Sequence, residues 1–237
     1  MVSLLLQVVQ IITLIWTIFL VFLSLYRNPH YRGNQIFALS LICYELFVLC
    51  FVFYYSSLNE AIIQLTLRMA IFLMILGTSL FVAAIQIFVK GEVILQHKLT
   101  KIGGLITLII LLIVAVFPNL VVVMSLNPTV TSRNIYITIL CILWLLILTV
   151  YNLVTLSSMH KSLSENSKDF SNKLKILFVG QILLFIIPVL CVLSGLMALS
   201  GSTSGAEIFS IVQYFSQFIA FGVLGFTFLR KKDPSQN

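Results

Sequence analysis

The chain has 237 residues, of which 60% are hydrophobic and 9% charged, with a mean hydropathy of +1.14 and a formal net charge of +7. A soluble domain carries about a quarter charged residues, so this composition excludes a water-solvated globule and requires lipid around the outer surface. The surplus of Lys and Arg then belongs to the rim of a membrane protein facing anionic headgroups, and no nucleic-acid partner is implied.

A helix needs about 20 residues to cross the hydrocarbon core, and seven apolar runs reach that length. The first, 3–26, has no basic residue before it and no small-residue cleavage site, so it is predicted to span rather than to be removed. The second, 36–56, contains Glu45, and the third, 61–89, contains Arg68. The stretch Glu92–Lys101 has mixed character and is predicted to lie along the inner interface. A fourth helix is predicted over 102–125 and a fifth over 135–158. The sixth, 174–199, includes Pro188, which removes a backbone hydrogen bond and should kink it. The seventh covers 207–230 and leaves a short tail, 231–237. The expected fold is all-α: one polytopic seven-transmembrane-helix bundle over 1–230, with no gap long enough for a folded soluble domain.

The cations set the orientation. Arg27 and Arg32, then Lys90, Lys98 and Lys101, then Lys161, Lys168, Lys173 and Lys175, then Arg230, Lys231 and Lys232 occupy every second gap, while the alternate gaps hold Arg133 alone. Short cytoplasmic loops retain Lys and Arg, so the N-terminus is predicted outside and the C-terminus, with its tail, inside the cell membrane.

Ionisable residues at membrane depth are costly and mark either a functional site or a structural pair. Glu45 and Arg68 fall on runs joined by the short turn Ser56–Glu60, so the two helices should be antiparallel neighbours, and an ion pair between these residues is expected. Polar residues recur at helical spacing on other runs: Gln10, Thr13, Thr17 and Ser24 on the first, Gln64, Arg68, Thr78 and Gln86 on the third, Gln181 on the sixth, and Ser210, Gln213, Tyr214 and Gln217 on the seventh. Lipid cannot satisfy amides, so the stripes should face the interior. There they either hydrogen-bond from helix to helix or line a ligand pocket. The candidate ligand-binding set is Glu45, Arg68, Gln181, Gln213, Tyr214 and Gln217.

Enzyme chemistry finds no support in the residues. His30, His97 and His160 all lie in connections, and no HExxH, GxSxG or paired acid cluster occurs. Every lysine is in a connection or at the end of a run, so none can carry a covalent cofactor at mid-depth, and no cofactor is expected. Cys43, Cys50, Cys141 and Cys191 lie inside apolar runs without metal-ligand spacing, so neither a metal site nor an extracellular disulfide is expected.

The layout resembles seven-helix receptors and sensors: an outside N-terminus, an inside C-terminus, short connections and Pro188 in the sixth helix. It is similar to microbial rhodopsins in size and in that proline, but the position of their retinal lysine, counted back from Arg230, is Phe221. G-protein-coupled receptors share the topology, yet the third helix ends Val89-Lys90-Gly91-Glu92, without their acid-Arg-aromatic triplet, and the seventh has no Asn-Pro-x-x-Tyr. The basic stretch after the first helix, together with Arg68, looks loosely like the seven-helix sensor region in front of prokaryotic histidine kinases. The resemblance implies a non-enzymatic membrane receptor or sensor that binds a small ligand within the bilayer and signals to a cytoplasmic partner. Two alternatives remain open: a small transporter or channel component that uses Glu45 as an ion or proton site, and a purely structural membrane subunit.

Overall fold

A computed structural model describes residues 4–126, 129–163, 168–200 and 203–228; the tail 231–237 and part of the glycine- and serine-rich turn at 201–205 lie outside them. In chain order these residues form α1 (Leu4–Arg27), α2 (Arg32–Ser56), α3 (Glu60–Lys90), a 3-10 turn (Glu92–Gln96), α4 (Lys98–Val116), β1 (Val121–Leu126), β2 (Thr129–Arg133), α5 (Ile135–Leu163), α6 (Lys168–Leu199) and α7 (Thr203–Phe228). Among the described residues, six helices are long and apolar enough to cross a membrane: α1 to α5 and α7. The apolar stretch of α6, Leu174–Leu190, is shorter.

Local chemistry sets the helix boundaries. Asn59 opens α3 by accepting hydrogen bonds from the Ala61 and Ile62 amides, at 2.9 and 3.4 Å. Gly91 closes it at φ +78°, a backbone conformation that favours glycine, and so turns the chain into the 3-10 segment. Helix α4 stops at Val116, short of the expected 125. Phe117 precedes Pro118 and is held extended. The β-branched run Val121–Val123 then pairs with Thr129–Arg133 as an antiparallel hairpin, with an irregularity between Val123 and Ser125. The fold is all-helical as expected apart from this hairpin, and what is corrected is the end of the fourth helix: 121–126 is apolar but forms a strand, because Pro118 ends the helix before it. The Asn134 amide donates to the Leu120 carbonyl at 2.9 Å and closes the hairpin base. Its side chain caps α5 through the Tyr136 and Ile137 amides.

Helix α2 packs along α3, α6 along α7, and α1 bridges α2 and α7. α5 joins α3 to α6 and closes the ring. Helix α4 lies outside it against α3, with only Thr107, Ile110, Leu111 and Val114 buried. The face of α4 that is left exposed is apolar (Leu105, Leu108, Ile109, Leu112 and Val116), as lipid contact requires. Two buried clusters fill the interior. One, including Phe47, Phe51, Trp144 and Leu120, lies toward the hairpin end. The other, including Phe37, Phe81, Phe221 and Leu177, lies toward the end that carries the lysines.

The α2–α3 contact is closest at Gly77. The Ser40 hydroxyl donates to the Gly77 carbonyl at 2.8 Å, and a Cβ at Gly77 would stand 3.2 Å from the Cβ of Cys43. That neighbour is fixed to the backbone and can yield little, so small residues let these helices approach. Gly77→Leu should therefore destabilise the bundle by about 1–3 kcal/mol through overpacking, read as a lower midpoint of thermal unfolding in detergent. Gly103→Leu on the open face of α4, where a Cβ meets nothing within 4 Å, should leave that midpoint nearly unchanged.

Candidate functional site

Helix register decides which polar residues meet. On α1 and α7, Trp16 lies 5.5 Å from Phe218 between ring centroids, and Gly222 and Gly225 sit against Trp16 and Leu20. These contacts put Gln217 at the depth of Thr13. On α2, Tyr44 meets Phe221 edge-on at 5.2 Å, so Glu45 sits about one turn from Gln217 in depth, roughly 5 Å. Glu45 faces Thr17 of α1.

Glu45 is 7% exposed, and neither of its oxygens has a hydrogen-bond partner. The Thr17 hydroxyl lies toward the carboxyl while donating to the Thr13 carbonyl at 2.9 Å. Gln217 is fully buried with both amide atoms unpartnered, and Gln10, on the same stripe of α1, has an unpartnered Nε2. Gln213 and Tyr214 are buried on the same helix as Gln217, at 3% and 1% exposed. The α1–α2–α7 contact thus holds an acidic group and two carboxamides with unused hydrogen-bonding capacity. Burying polar atoms without partners is costly.

Arg68 is elsewhere, and the expected Glu45–Arg68 ion pair is not formed. The contacts of Ser40 with Gly77 and of Tyr44 with Thr78 fix the register of α2 and α3. In that register Arg68 lies near the depth of Phe53, about eight residues or roughly 12 Å from Glu45. Its guanidinium instead donates to the carbonyls of Ala115 and Phe117, both at 2.9 Å. The last carbonyls of a helix lack intrahelical donors and carry the negative end of its dipole, so the arginine has two good acceptors without Glu45. Among the described residues the ion pair that forms is Arg32 with Glu92, at 3.7 Å near the lysine end.

Gln181 is joined to α5 through its amide oxygen. α6 and α7 are in register through Gly180 against Leu224 and Ser194 against Ser210. Gln181 therefore lies six residues from Gln217 in depth, roughly 9 Å, and three from Glu45, roughly 5 Å, with its Nε2 buried and unpartnered. It is the end of a three-amide ladder in which Gln86 Nε2 of α3 donates to Asn152 Oδ1 of α5 at 2.9 Å, and Asn152 Nδ2 donates to Gln181 Oε1 at 2.8 Å. All three residues are buried. Gln86 and Gln181 stand on the expected stripes, whereas Asn152 was missed. Its signal was one amide between Thr149 and Thr155, which stand three residues to either side on the same buried face of the run 135–158.

Under the hairpin is a void of about 30 Å³, lined by Ile71, Met74, Leu120, Arg133, Cys141 and Pro188 among others. That is room for about one water. None of the six expected ligand residues lines it. The six are split three ways: Glu45, Gln213, Tyr214 and Gln217 along α2 and α7, Gln181 in the ladder, and Arg68 on the end of α4. No group of three or more His, Cys, Asp or Glu that could hold a metal occurs among the described residues.

The helices and their apolar outer faces define a class: this is a helical membrane protein that crosses the bilayer several times. No family model matches the chain, nor does any curated protein or solved structure.

Proposed function

We propose that this protein is a non-enzymatic receptor or sensor-like protein of the cell membrane. It crosses the bilayer seven times, with the N-terminus outside and the C-terminus inside. It binds a small ligand within the bilayer, at Glu45 and Gln217, with Gln10 next along the same polar stripe, and signals to a cytoplasmic partner. One observation carries this reading: five polar atoms on three contacting helices are buried without a protein partner. A ligand or ion that hydrogen-bonds to them would offset the cost of that burial. Because Arg68 is engaged elsewhere, the chemistry offered is acceptor-rich. A cationic or hydrogen-bond-donating solute fits it, such as a small amine, with the amides of Gln10 and Gln217 fixing its orientation. The parallel α1–α7 contact and the α6–α7 contact give a bound solute two helix pairs to shift, and the route to the cytoplasm runs through the lysine-bearing connections.

A panel of small amines and monovalent cations, titrated into the purified protein, tests this by thermal unfolding. At least one should raise the midpoint in a saturable way, by about 3 kcal/mol of linkage at a hundredfold excess over its dissociation constant. Glu45→Gln should abolish that shift. If no member of the panel moves the midpoint, or if Glu45→Gln responds as the parent does, the ligand reading is lost. A reporter fused after Asn237 and active only in the cytoplasm tests the orientation separately.

The second reading is a small transporter or channel component in which Glu45 itself carries a cation or proton. The absence of any cation facing Glu45 among the described residues favours it. Cation or proton flux into proteoliposomes, lost in Glu45→Gln, would select this reading over the receptor.

A further inference from the structure

The chain folds a groove at the lysine end that the reading above does not use. Gly91, at φ +78°, breaks α3 and starts the 3-10 turn Glu92–Gln96 before α4 begins at Lys98. The angle leaves an open groove of about 340 Å³ lined by Lys90, Val93, Ile94, Gln96 and His97. Lys98 and Lys101 follow on the exposed first turn of α4. The segment's own acid is already used: Glu92 pairs with Arg32, whose backbone amide also reaches the Glu92 carboxylate at 3.3 Å. Lys90 lines the groove, Lys98 follows directly on the lining residue His97, and Lys101 stands one turn further along α4; among the described residues no carboxylate is paired with any of the three. Lys90 is steered to the α5 side of the groove, with its Nζ 6.0 Å from the centroid of the Tyr151 ring.

The groove is also amphipathic. Ile94 is buried, while Val93 and Leu99 are 76% and 61% exposed beside the lysines. A free phosphate would meet the cations and gain nothing from those apolar side chains. An amphiphile with an anionic head would use both. We propose that this groove binds the headgroup of an anionic phospholipid, with its phosphate among Lys90, Lys98 and Lys101 and its glycerol and first acyl carbons against Val93 and Leu99. A zwitterionic phospholipid would gain less, because its cationic choline offsets the attraction of its phosphate to the lysines. The leaflet involved, the cytoplasmic one, follows from the orientation proposed above; the site itself does not depend on it.

The test uses the purified full-length protein in detergent, where both ends are equally accessible, so a wrong orientation cannot mimic a missing site. Short-chain phosphatidylglycerol, short-chain phosphatidylcholine and inorganic phosphate are titrated below their micellar concentrations, and binding is followed by microscale thermophoresis. Phosphatidylglycerol should bind saturably, and at least about tenfold tighter than either other probe. Lys90→Gln/Lys98→Gln/Lys101→Gln should weaken it by about tenfold or more, and Val93→Ser/Leu99→Ser should weaken the lipid while leaving phosphate unchanged. Lys175→Gln, an exposed cation of α6 that is not part of the groove lining, should have no effect, and circular dichroism checks that each variant stays folded. Equal binding of the two lipids would overturn the proposal, as would an unchanged triple variant or an equal loss from Lys175→Gln. Phosphate binding as tightly as phosphatidylglycerol would overturn the lipid assignment in favour of a free-anion site.

Discussion

Arg68→Ala should cost the folded protein about 2–3 kcal/mol, since hydrogen bonds to a charged group are the stronger kind and two are lost together. The guanidinium ties α3 to the Ala115 and Phe117 carbonyls, which are the last acceptors of α4. Pro118 prevents the chain from continuing the helix to satisfy them another way. The residues that follow form the hairpin, so the loss should loosen that element first. Limited proteolysis should show earlier cleavage between Leu120 and Arg133 in the variant, with a lower unfolding midpoint. Arg68→Lys should recover only part of the stability, because an ammonium lacks the planar fork that reaches two carbonyls at once. The same arginine separates this arrangement from an ion pair. In a double-mutant cycle, Glu45→Gln and Arg68→Gln should be additive within about 0.5 kcal/mol, as for sites that share no contact. A coupling well above that would restore the pair.

Asn152→Leu is expected to be the most damaging single change in the interior, at about 2–4 kcal/mol. It removes two interhelical hydrogen bonds, each worth about 0.6 kcal/mol on average in a membrane. It also leaves Gln86 Nε2 and Gln181 Oε1 buried without partners, at a further 1–3 kcal/mol or so. The Gln86→Leu/Asn152→Leu/Gln181→Leu triple variant should be less destabilised than the single one, since no polar atom is then stranded. Equilibrium unfolding of the two variants in mixed micelles decides the point: a triple variant weaker than the single would mean that the ladder matters through shape rather than through hydrogen bonding.

Much of the architecture is legible in residue order. Apolar length marks the helices, and α3 and α5 begin within a residue of the expected positions, where Asn59 and Asn134 cap them. The fourth helix was misjudged where hydropathy and backbone geometry disagree. Val121–Leu126 is as apolar as a span, but Pro118 before it and the β-branched valines favour a strand. The site was legible as residues and not as a constellation. Glu45, Gln213, Tyr214 and Gln217 are buried as their spacing on α2 and α7 implies. The Glu45–Arg68 pair failed because depth counted from a short turn misses the register that Gly77 and Thr78 impose on α2 and α3. Spacing along one helix could not reveal that Thr17 spends its hydroxyl on its own backbone, nor that Asn152 bridges two glutamines from other helices. These facts depend on which side chains face one another across separate segments, which one-dimensional periodicity does not encode.

The central claim is that the polar atoms of Gln10, Glu45 and Gln217 are there to meet something other than protein. An experimental map of the protein in lipid nanodiscs, at a resolution that shows side-chain density, tests it most directly. The account predicts non-protein density within hydrogen-bonding distance of the Glu45 carboxyl and of at least one of the two amides, and its loss in Glu45→Gln. Direct hydrogen bonds from Gln217 or Gln10 to Glu45, with no density between them, would contradict it and leave the three residues as helix-to-helix packing.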